Sequence, residues 1–149
     1  PLTRVVLLRS GVVLDRDGGA LRQIALPFRF FAGGRAGSGR QYMSWIHLAD
    51  WVEMVRWALA TEDVAGPLNV TAPSPVTNAE FSQALGRAMN RPAMLPAPAF
   101  ALRLGLGEMA DALLLGGQRG VPAKAQRQGF AFRFATIDAA LRDIYDRPR

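Results

Sequence analysis

The stretch GGRAGSGRQYMSWIHLADWVEMVRWALA, residues 33–60, runs from a glycine-rich loop through a short aromatic segment into an amphipathic helix. Tyr42 and Trp45 follow the loop at strand-like spacing, and from Leu48 onward apolar residues recur at helical spacing. We therefore expect a strand around the two aromatic residues and then a helix that buries one apolar stripe. The stripe consists of Leu48, Val52, Val55 and Leu59. Trp57 falls on the opposite side of this helix, so a second layer should cover it.

The N-terminal segments predict a strand and then a broken helix. Residues 3–14 contain a continuous Val/Leu run that is interrupted at Ser10-Gly11, which is typical of a parallel strand covered on both faces. Residues 20–31 form a helical pattern with a break or kink at Pro27. A short strand is expected over 68–71.

The C-terminal half is mostly helical by pattern. Thr77 and Glu80 have the spacing of a capping box and start a helix that ends near residue 90. Residues 99–115 form one helix, or two that meet near Gly105 and Gly107. A short helix follows Pro122, and a final helix is capped at its start by a threonine. The phenylalanines at 130, 132 and 134 alternate as in a strand.

The composition narrows the class of protein. A chain of 149 residues with 50% hydrophobic residues is sufficient for a globular core. No apolar run approaches the roughly 20 residues needed to span a bilayer, and no secretory signal is recognisable, so we expect a cytoplasmic protein without a membrane partner. The net charge is +6, but the arginines are scattered and Lys124 is the only lysine. This dispersion disfavours nucleic-acid binding.

Two glycine patterns do not fit nucleotide-binding motifs. Residues 105–110, GLGEMA, match a variant of the dinucleotide fingerprint, but they follow a helical pattern where a strand is required. Residues 34–39 have the glycine spacing of a phosphate loop, yet Arg40-Gln41 stands where Lys and Ser/Thr should be. Zero cysteines and a single histidine also exclude thiolate and multi-histidine metal sites.

Four residues near the glycine loop are candidates for ligand binding. Arg40 could clamp a phosphate or carboxylate while Tyr42 and Trp45 stack on a sugar or base; alternatively, Arg40 forms an ion pair with a nearby acid. His47 could act as a general acid or base. Its structural alternative is a half-buried imidazole at a helix start, with Asp50 in the first turn.

The chain resembles a known family in several stretches together. These are LLRSGVVLDRDGGAL, GSGRQYMSWIHLAD, GPLNVTAPSPVTNAEFSQALGRAMNRP, LPAPAFALRLGLGEMADALLLGGQR, GFAFRF and IDAALRD. The resemblance is to atypical extended short-chain dehydrogenase/reductases of the NAD-dependent epimerase/dehydratase type, in the subgroup with a C-terminal domain of unknown function. It implies an α/β fold: the C-terminal portion of a Rossmann-like enzyme, mostly helical with a few short strands.

The resemblance also implies a division of the chain and a role for each part. Residues 1–94 would form a late Rossmann strand plus the substrate-side region, and residues 95–149 a small helical C-terminal domain. The family's cofactor loop and its Tyr-x-x-x-Lys pair are absent from the sequence. We therefore expect a substrate-binding fragment of an NAD(P)-dependent epimerase/dehydratase-like oxidoreductase acting on a sugar nucleotide, inactive alone and binding no cofactor by itself.

Few family residues carry over to this sequence. Ser10, Gly11 and Val12 would lie near the nicotinamide, as cofactor-binding residues. Family members also place an arginine before an I-H-x-x-D segment near the substrate diphosphate. Here residues 46–50 match that segment, but Arg40 lies farther upstream than in sugar-nucleotide epimerases.

Two further expectations concern partners. A missing N-terminal Rossmann half would leave Trp57 and the Val5–Leu8 strand exposed or self-associated, so we expect a homodimer that buries them. The alternative function is a stand-alone binding module that uses Arg40, Tyr42 and Trp45 for an anionic or nucleic-acid ligand.

Overall fold

The computed structural model describes residues 3–146 and 148, apart from the side chains of residues 113 and 114. The described elements are short strands and helices in a mixed order. They are β1 Val6–Ser10, β2 Val12–Leu14, α1 Gly19–Ile24, α2 Leu26–Arg29, β3 Tyr42–Met43, β4 Trp45–His47, α3 Leu48–Ala60, β5 Gly66–Val70, β6 Val76–Thr77, α4 Asn78–Met89, α5 Ala99–Leu106, α6 Glu108–Ala110, a π-helical turn Asp111–Leu115, α7 Ala123–Arg127 and α8 Ile137–Asp146.

The N-terminal strand changes its partner at Gly11. Before it, β1 pairs in parallel with β5, so that Ser10 lies opposite Val70. After it, β2 pairs in parallel with β4. Gly11 itself donates to the Val70 carbonyl, and the next amide donates to the carbonyl of Ser44. The predicted interruption at Ser10-Gly11 is therefore confirmed, and it opens a gap between the two strand pairs.

The expectation that this strand is covered on both faces is wrong for β1. Four of its five residues are exposed, and the exposed fractions of Leu7 and Leu8 are 55% and 40%. Among the described residues, β1 pairs only with β5, so its other edge is unpaired.

Helix α3 begins at the predicted residue, but it is rotated relative to the predicted stripe. Its buried residues are Asp50, Met54 and Ala58, whereas Leu59 is 73% exposed and Leu48 38%. The physical reason is a second layer contributed by residues 130–134. The Asp50 carboxylate accepts the backbone N–H groups of residues 133 and 134, at 3.0 and 2.8 Å.

That second layer also packs on Trp57, which is partly buried, so the expected cover is present and the expectation of an exposed Trp57 is wrong. Its ring meets Phe130 edge-on at 5.5 Å between centroids, and Phe130 in turn meets Phe132 at 4.9 Å. The prediction of a strand through the alternating phenylalanines is wrong, because the segment forms no ladder and is held by side-chain contacts and by Asp50 instead.

The remaining helices follow the sequence patterns closely. The capping box at Thr77 and Glu80 is present in full, and the break between α1 and α2 falls at Ala25, next to the predicted kink. The pattern of 99–115 divides at Gly107. Helix α8 is capped by Thr136 and packs on α4, with Ile137, Leu141 and Ile144 buried.

No helix in residues 3–146 is long and apolar enough to cross a bilayer.

Candidate functional site

A crevice lies where the N-terminal strand changes its partner, and we call it the switch-point crevice. Ser10, Gly11, Ser44 and Gln118 line both of its ends. The narrower end has a volume of about 200 Å³ and the wider end about 400 Å³. Ligands of parallel α/β folds characteristically bind outside the carboxyl ends of strands at such a change of strand partner. Topology therefore selects this crevice as the candidate site.

Close packing of backbone keeps the middle of the crevice rigid. A Cβ atom at Gly11 would lie 2.8 Å from the Ser44 carbonyl oxygen, so only glycine allows the strand to pass there. The Ser44 hydroxyl donates to the carbonyl of Gln118 and accepts from the amide of Gly120, both at 2.7 Å. One serine thus holds the segment that crosses the crevice on both sides of Arg119.

The two ends of the crevice differ in charge. The narrower end is lined only by uncharged residues, including Val12 and the half-exposed Tyr42. The wider end is lined by Arg9 and Arg119, together with Asn69 and Thr71. The Arg119 guanidinium lies over the Tyr42 ring at 5.3 Å from its centroid, so this pair connects the two ends.

Two hydroxyl groups at the crevice differ in their hydrogen bonding. Ser10 Oγ accepts a hydrogen bond from Trp51 Nε1 at 2.9 Å. The Thr71 side chain is only 3% exposed, and its Oγ1 has no hydrogen-bond partner among the described residues. An unsatisfied buried hydroxyl is costly and uncommon in native structures.

The structure brings four of the seven sequence-predicted residues together in this crevice, namely Ser10, Gly11, Val12 and Tyr42. Arg40 does not line it; its side chain is exposed on the glycine loop. Trp45 is fully buried, and its indole donates to the Ser74 carbonyl at 2.9 Å. Its ring is therefore a core element, which corrects the prediction that it stacks on a ligand.

His47 does not line the crevice either, because hydrogen bonds hold its ring elsewhere. It is 3% exposed, its Nδ1 accepts from the amide of Ala49, and its Nε2 lies 3.0 Å from Asp143 Oδ2. The ring stacks on Phe134 at 4.1 Å. These contacts match the structural alternative for His47, a helix-start imidazole, and they also attach helix α8.

His47 borders a second cavity of about 700 Å³ on another side of the fold. This cavity mixes arginines with acids, among them Arg22, Asp15 and Asp17. Beside it, Tyr145 packs under Arg16, and burial raises the pKa of Tyr145 although Arg29 and Arg16 act in the opposite direction. The cavity does not lie at the strand switch, so we regard it as secondary despite its size.

Sequence reasoning missed Ser44, Thr71, Gln118 and Arg119. Ser44 lies within the quoted central stretch, but a serine carries no signal of its own, and the other three come from segments distant in the chain. Among residues 3–146 and 148, no three His, Asp or Glu side chains are grouped to hold a metal ion.

Comparisons with known proteins indicate the family that this chain resembles. Residues 97–144 match the family described as domain of unknown function DUF1731. An epimerase family protein of Mycobacterium leprae is 51% identical over 146 residues, which cover 98% of this chain and 48% of that protein. A mouse epimerase family protein is 48% identical over 143 residues, or 95% of this chain and 48% of its own length. The chain thus spans about half the length of the curated relatives it matches.

Solved structures extend the similarity to the fold. The human epimerase family protein SDR39U1, isoform 2, solved with NADPH, has a TM-score of 0.90 and 42% identity over 97% of this chain and 49% of that one. A nucleoside-diphosphate sugar epimerase from Corynebacterium glutamicum has a TM-score of 0.71 and 28% identity over 96% of this chain and 26% of that one. The expected fold class, the C-terminal portion of a Rossmann-like α/β enzyme, is confirmed. The chain therefore matches, over nearly its full length, the C-terminal part of epimerase family proteins of the extended short-chain dehydrogenase/reductase type, and residues 97–144 match the DUF1731 domain.

Proposed function

We propose that this chain forms the substrate-side half of an NAD(P)-dependent sugar-nucleotide epimerase-like oxidoreductase and does not catalyse by itself. The observation that supports this most directly is the position of Ser10, Gly11 and Val12 at the switch-point crevice, in a fold that superposes on a relative solved with NADPH. The sequence has neither a dinucleotide loop nor a Tyr-x-x-x-Lys pair. The cofactor and the acid–base pair would come from another segment.

The residues of the narrower end fit a nicotinamide ring. They are uncharged, they present bare backbone at Gly11, and they include one accessible aromatic face, that of Tyr42. A flat, amide-bearing ring needs such a surface, with few polar groups to orient it. When bound, a nicotinamide supplies or accepts a hydride. This chain's part is to position the ring and the substrate and to exclude water from their contact.

The partner that we propose is the dinucleotide-binding half of the same family. Among the described residues, one edge of strand β1 is unpaired, and Leu7, Leu8 and the preceding Val5 are exposed; such an edge pairs readily with another strand. In the isolated chain, the same surface would support a homodimer. Light scattering tests this: a dimer that becomes monomeric after Leu7→Lys supports self-association through β1, and a monomer at high concentration counts against it.

The division of the chain remains part of the proposal. Residues 1–94 would provide the strand and the crevice, and residues 95–149 a small helical domain whose segment 116–120 closes the crevice from above. The hydrogen bonds of Ser44 to this segment support a shared site rather than two independent ones.

The proposed function can be tested with a joined protein. In it, this chain is linked to the part of the Mycobacterium leprae relative that lies outside the match. We expect the joined protein to bind NADPH, measured by nicotinamide fluorescence, and neither part to bind it alone. Tyr42→Ala should weaken NADPH binding in the joined protein. Phe30→Ala, which removes a 74% exposed ring outside the crevice, should not. Folded joined protein without NADPH affinity, or equal effects of the two variants, would refute the proposal.

A further inference from the structure

The wider end of the switch-point crevice has a one-sided charge. Its nine lining residues include two arginines, Arg9 and Arg119, and no aspartate or glutamate. The other lining residues are uncharged, so they do not neutralise the arginines. The secondary cavity, by contrast, mixes acids with its arginines. A concave site with positive charge only attracts and retains anions.

Neither guanidinium forms an ion pair with a carboxylate of the described residues. In the part of the chain that the structure describes, the ion pairs involve His47, Arg56, Arg87 and Arg103. Arg119 has an aromatic contact instead, over the ring of Tyr42. Stacking uses the face of a guanidinium and leaves its in-plane N–H donors available for an oxyanion.

The backbone on both sides of Arg119 is fixed before any ligand arrives. Ser44 binds the carbonyl of Gln118 and the amide of Gly120 through one hydroxyl group. Nearby, the Asn69 amide donates to the carbonyl of Val121 at 3.1 Å and holds the same segment from the other side. A donor on a fixed segment loses less conformational entropy on binding than one on a free loop.

We propose that the wider end of the crevice is an oxyanion subsite, in which Arg9 and Arg119 bind a phosphate or carboxylate group of the substrate. The inference rests on the proposed function and deepens it, because it assigns the charged part of the ligand to this end and the uncharged ring to the Tyr42 end. It also moves the anion-binding role from Arg40, which the sequence favours, to two arginines that the fold brings together from positions 110 residues apart.

The test uses this chain alone, with inorganic phosphate, pyrophosphate and malonate as probes. Two-dimensional NMR follows the Gly120 amide and the Trp51 indole N–H, which is bonded to Ser10 at the crevice. We expect saturable shifts of both resonances. The dissociation constant should rise about tenfold or more in Arg9→Ala and in Arg119→Ala, as expected for the loss of one charge-assisted hydrogen bond. The matched control, Arg127→Ala, removes a likewise exposed charge on α7 and should change the dissociation constant less than about twofold.

Two further variants separate positioning from charge. Arg119→Lys keeps the charge but loses the planar donors, and we expect an intermediate affinity. Ser44→Ala keeps every charge and releases the segment around Arg119, so it should weaken binding while leaving the thermal midpoint of the fold within a few degrees. Phosphate and malonate represent the two possible charged groups of the substrate, a phosphate and a carboxylate. Tighter binding of one probe indicates which group the subsite binds.

Shifts that are linear in probe concentration, that map to the glycine loop around Arg40, or that respond equally to Arg119→Ala and Arg127→Ala would overturn the subsite. The outcome is separable from that of the proposed function. Saturable oxyanion binding by this chain, with a joined protein that ignores NADPH, would retain the subsite and remove the enzyme proposal. NADPH binding by the joined protein, with no oxyanion binding by this chain, would retain the enzyme proposal and remove the subsite.

Discussion

Replacing Thr71 with valine should stabilise this fold, because it removes a buried hydroxyl that has no partner among the described residues. The side chain is 3% exposed, and valine has nearly the same shape, so packing against Gly11 is retained. An unsatisfied buried hydroxyl costs about 1–3 kcal/mol. At the lower end of this range, about 1 kcal/mol corresponds to a rise of ~2–4 °C in Tm for a chain of this size.

The assay is urea and thermal unfolding at neutral pH, followed by circular dichroism. Thr77→Val is the matched control: it removes the same atom from a threonine whose hydroxyl caps α4 by accepting the Glu80 amide. Loss of that cap should cost about 1 kcal/mol, so the same chemical change should have opposite signs at the two positions. A Thr71→Val variant that is destabilised by 1 kcal/mol or more would refute the reasoning, since it would mean that the hydroxyl is satisfied in the folded chain.

Three further predictions concern residues that stabilise the fold. Gly34→Ala should destabilise it by about 2 kcal/mol in urea unfolding, because a Cβ there would overlap the backbone carbonyl of Leu95, whereas Gly105→Ala, with open space around it, should be neutral or stabilising. Hydrogen bonds from the backbone and side chain of the capping-box threonine lower the pKa of Glu80. The stabilising contribution of the carboxylate is therefore present above pH 4.5 and lost as the pH falls through the lowered pKa, so Glu80→Gln should be less stable than the parent at pH 7 and the difference should shrink as the pH falls below 4.5. Asp50→Ala should cost about 2 kcal/mol or more, since two backbone N–H groups lose their acceptor, and hydrogen exchange should become faster at those two amides.

The local elements of this fold were predictable because their signals are local. The capping box, the interruption of the first strand and the division at Gly107 each depend on residues within a few positions of one another. The partner switch at Gly11 was not predictable in detail, since nothing near Gly11 indicates that β5 and β4 will lie on opposite sides of it.

The error at Trp45 has a simple geometric cause. Successive side chains of a strand alternate between faces, so two residues three positions apart face opposite ways. Tyr42 reaches the crevice, and Trp45 therefore enters the core. The common aromatic character of the two residues suggested a shared ligand, but the odd spacing between them already excluded a shared face.

The hydrophobic pattern did not predict the rotation of α3, because it treats every aspartate as an exposed residue. An aspartate counts as a polar, outward residue in any hydrophobic stripe, yet Asp50 is 2% exposed because a distant segment offers it two N–H donors. Once Asp50 faces inward, Met54 and Ala58 face inward with it, and Leu59 on the neighbouring stripe faces out.

The outward stripe and the exposed strand then need the same explanation. Arg4 donates to the carbonyl of Leu59 at 3.0 Å, so the exposed end of α3 lies near the residues that precede β1. Both segments have the apolar patterns of buried elements. The dinucleotide-binding partner that we propose for the edge of β1 would therefore also have the exposed end of α3 within reach. Leu59→Lys should then weaken its binding as Leu7→Lys does, and unchanged binding of Leu59→Lys would separate the two surfaces.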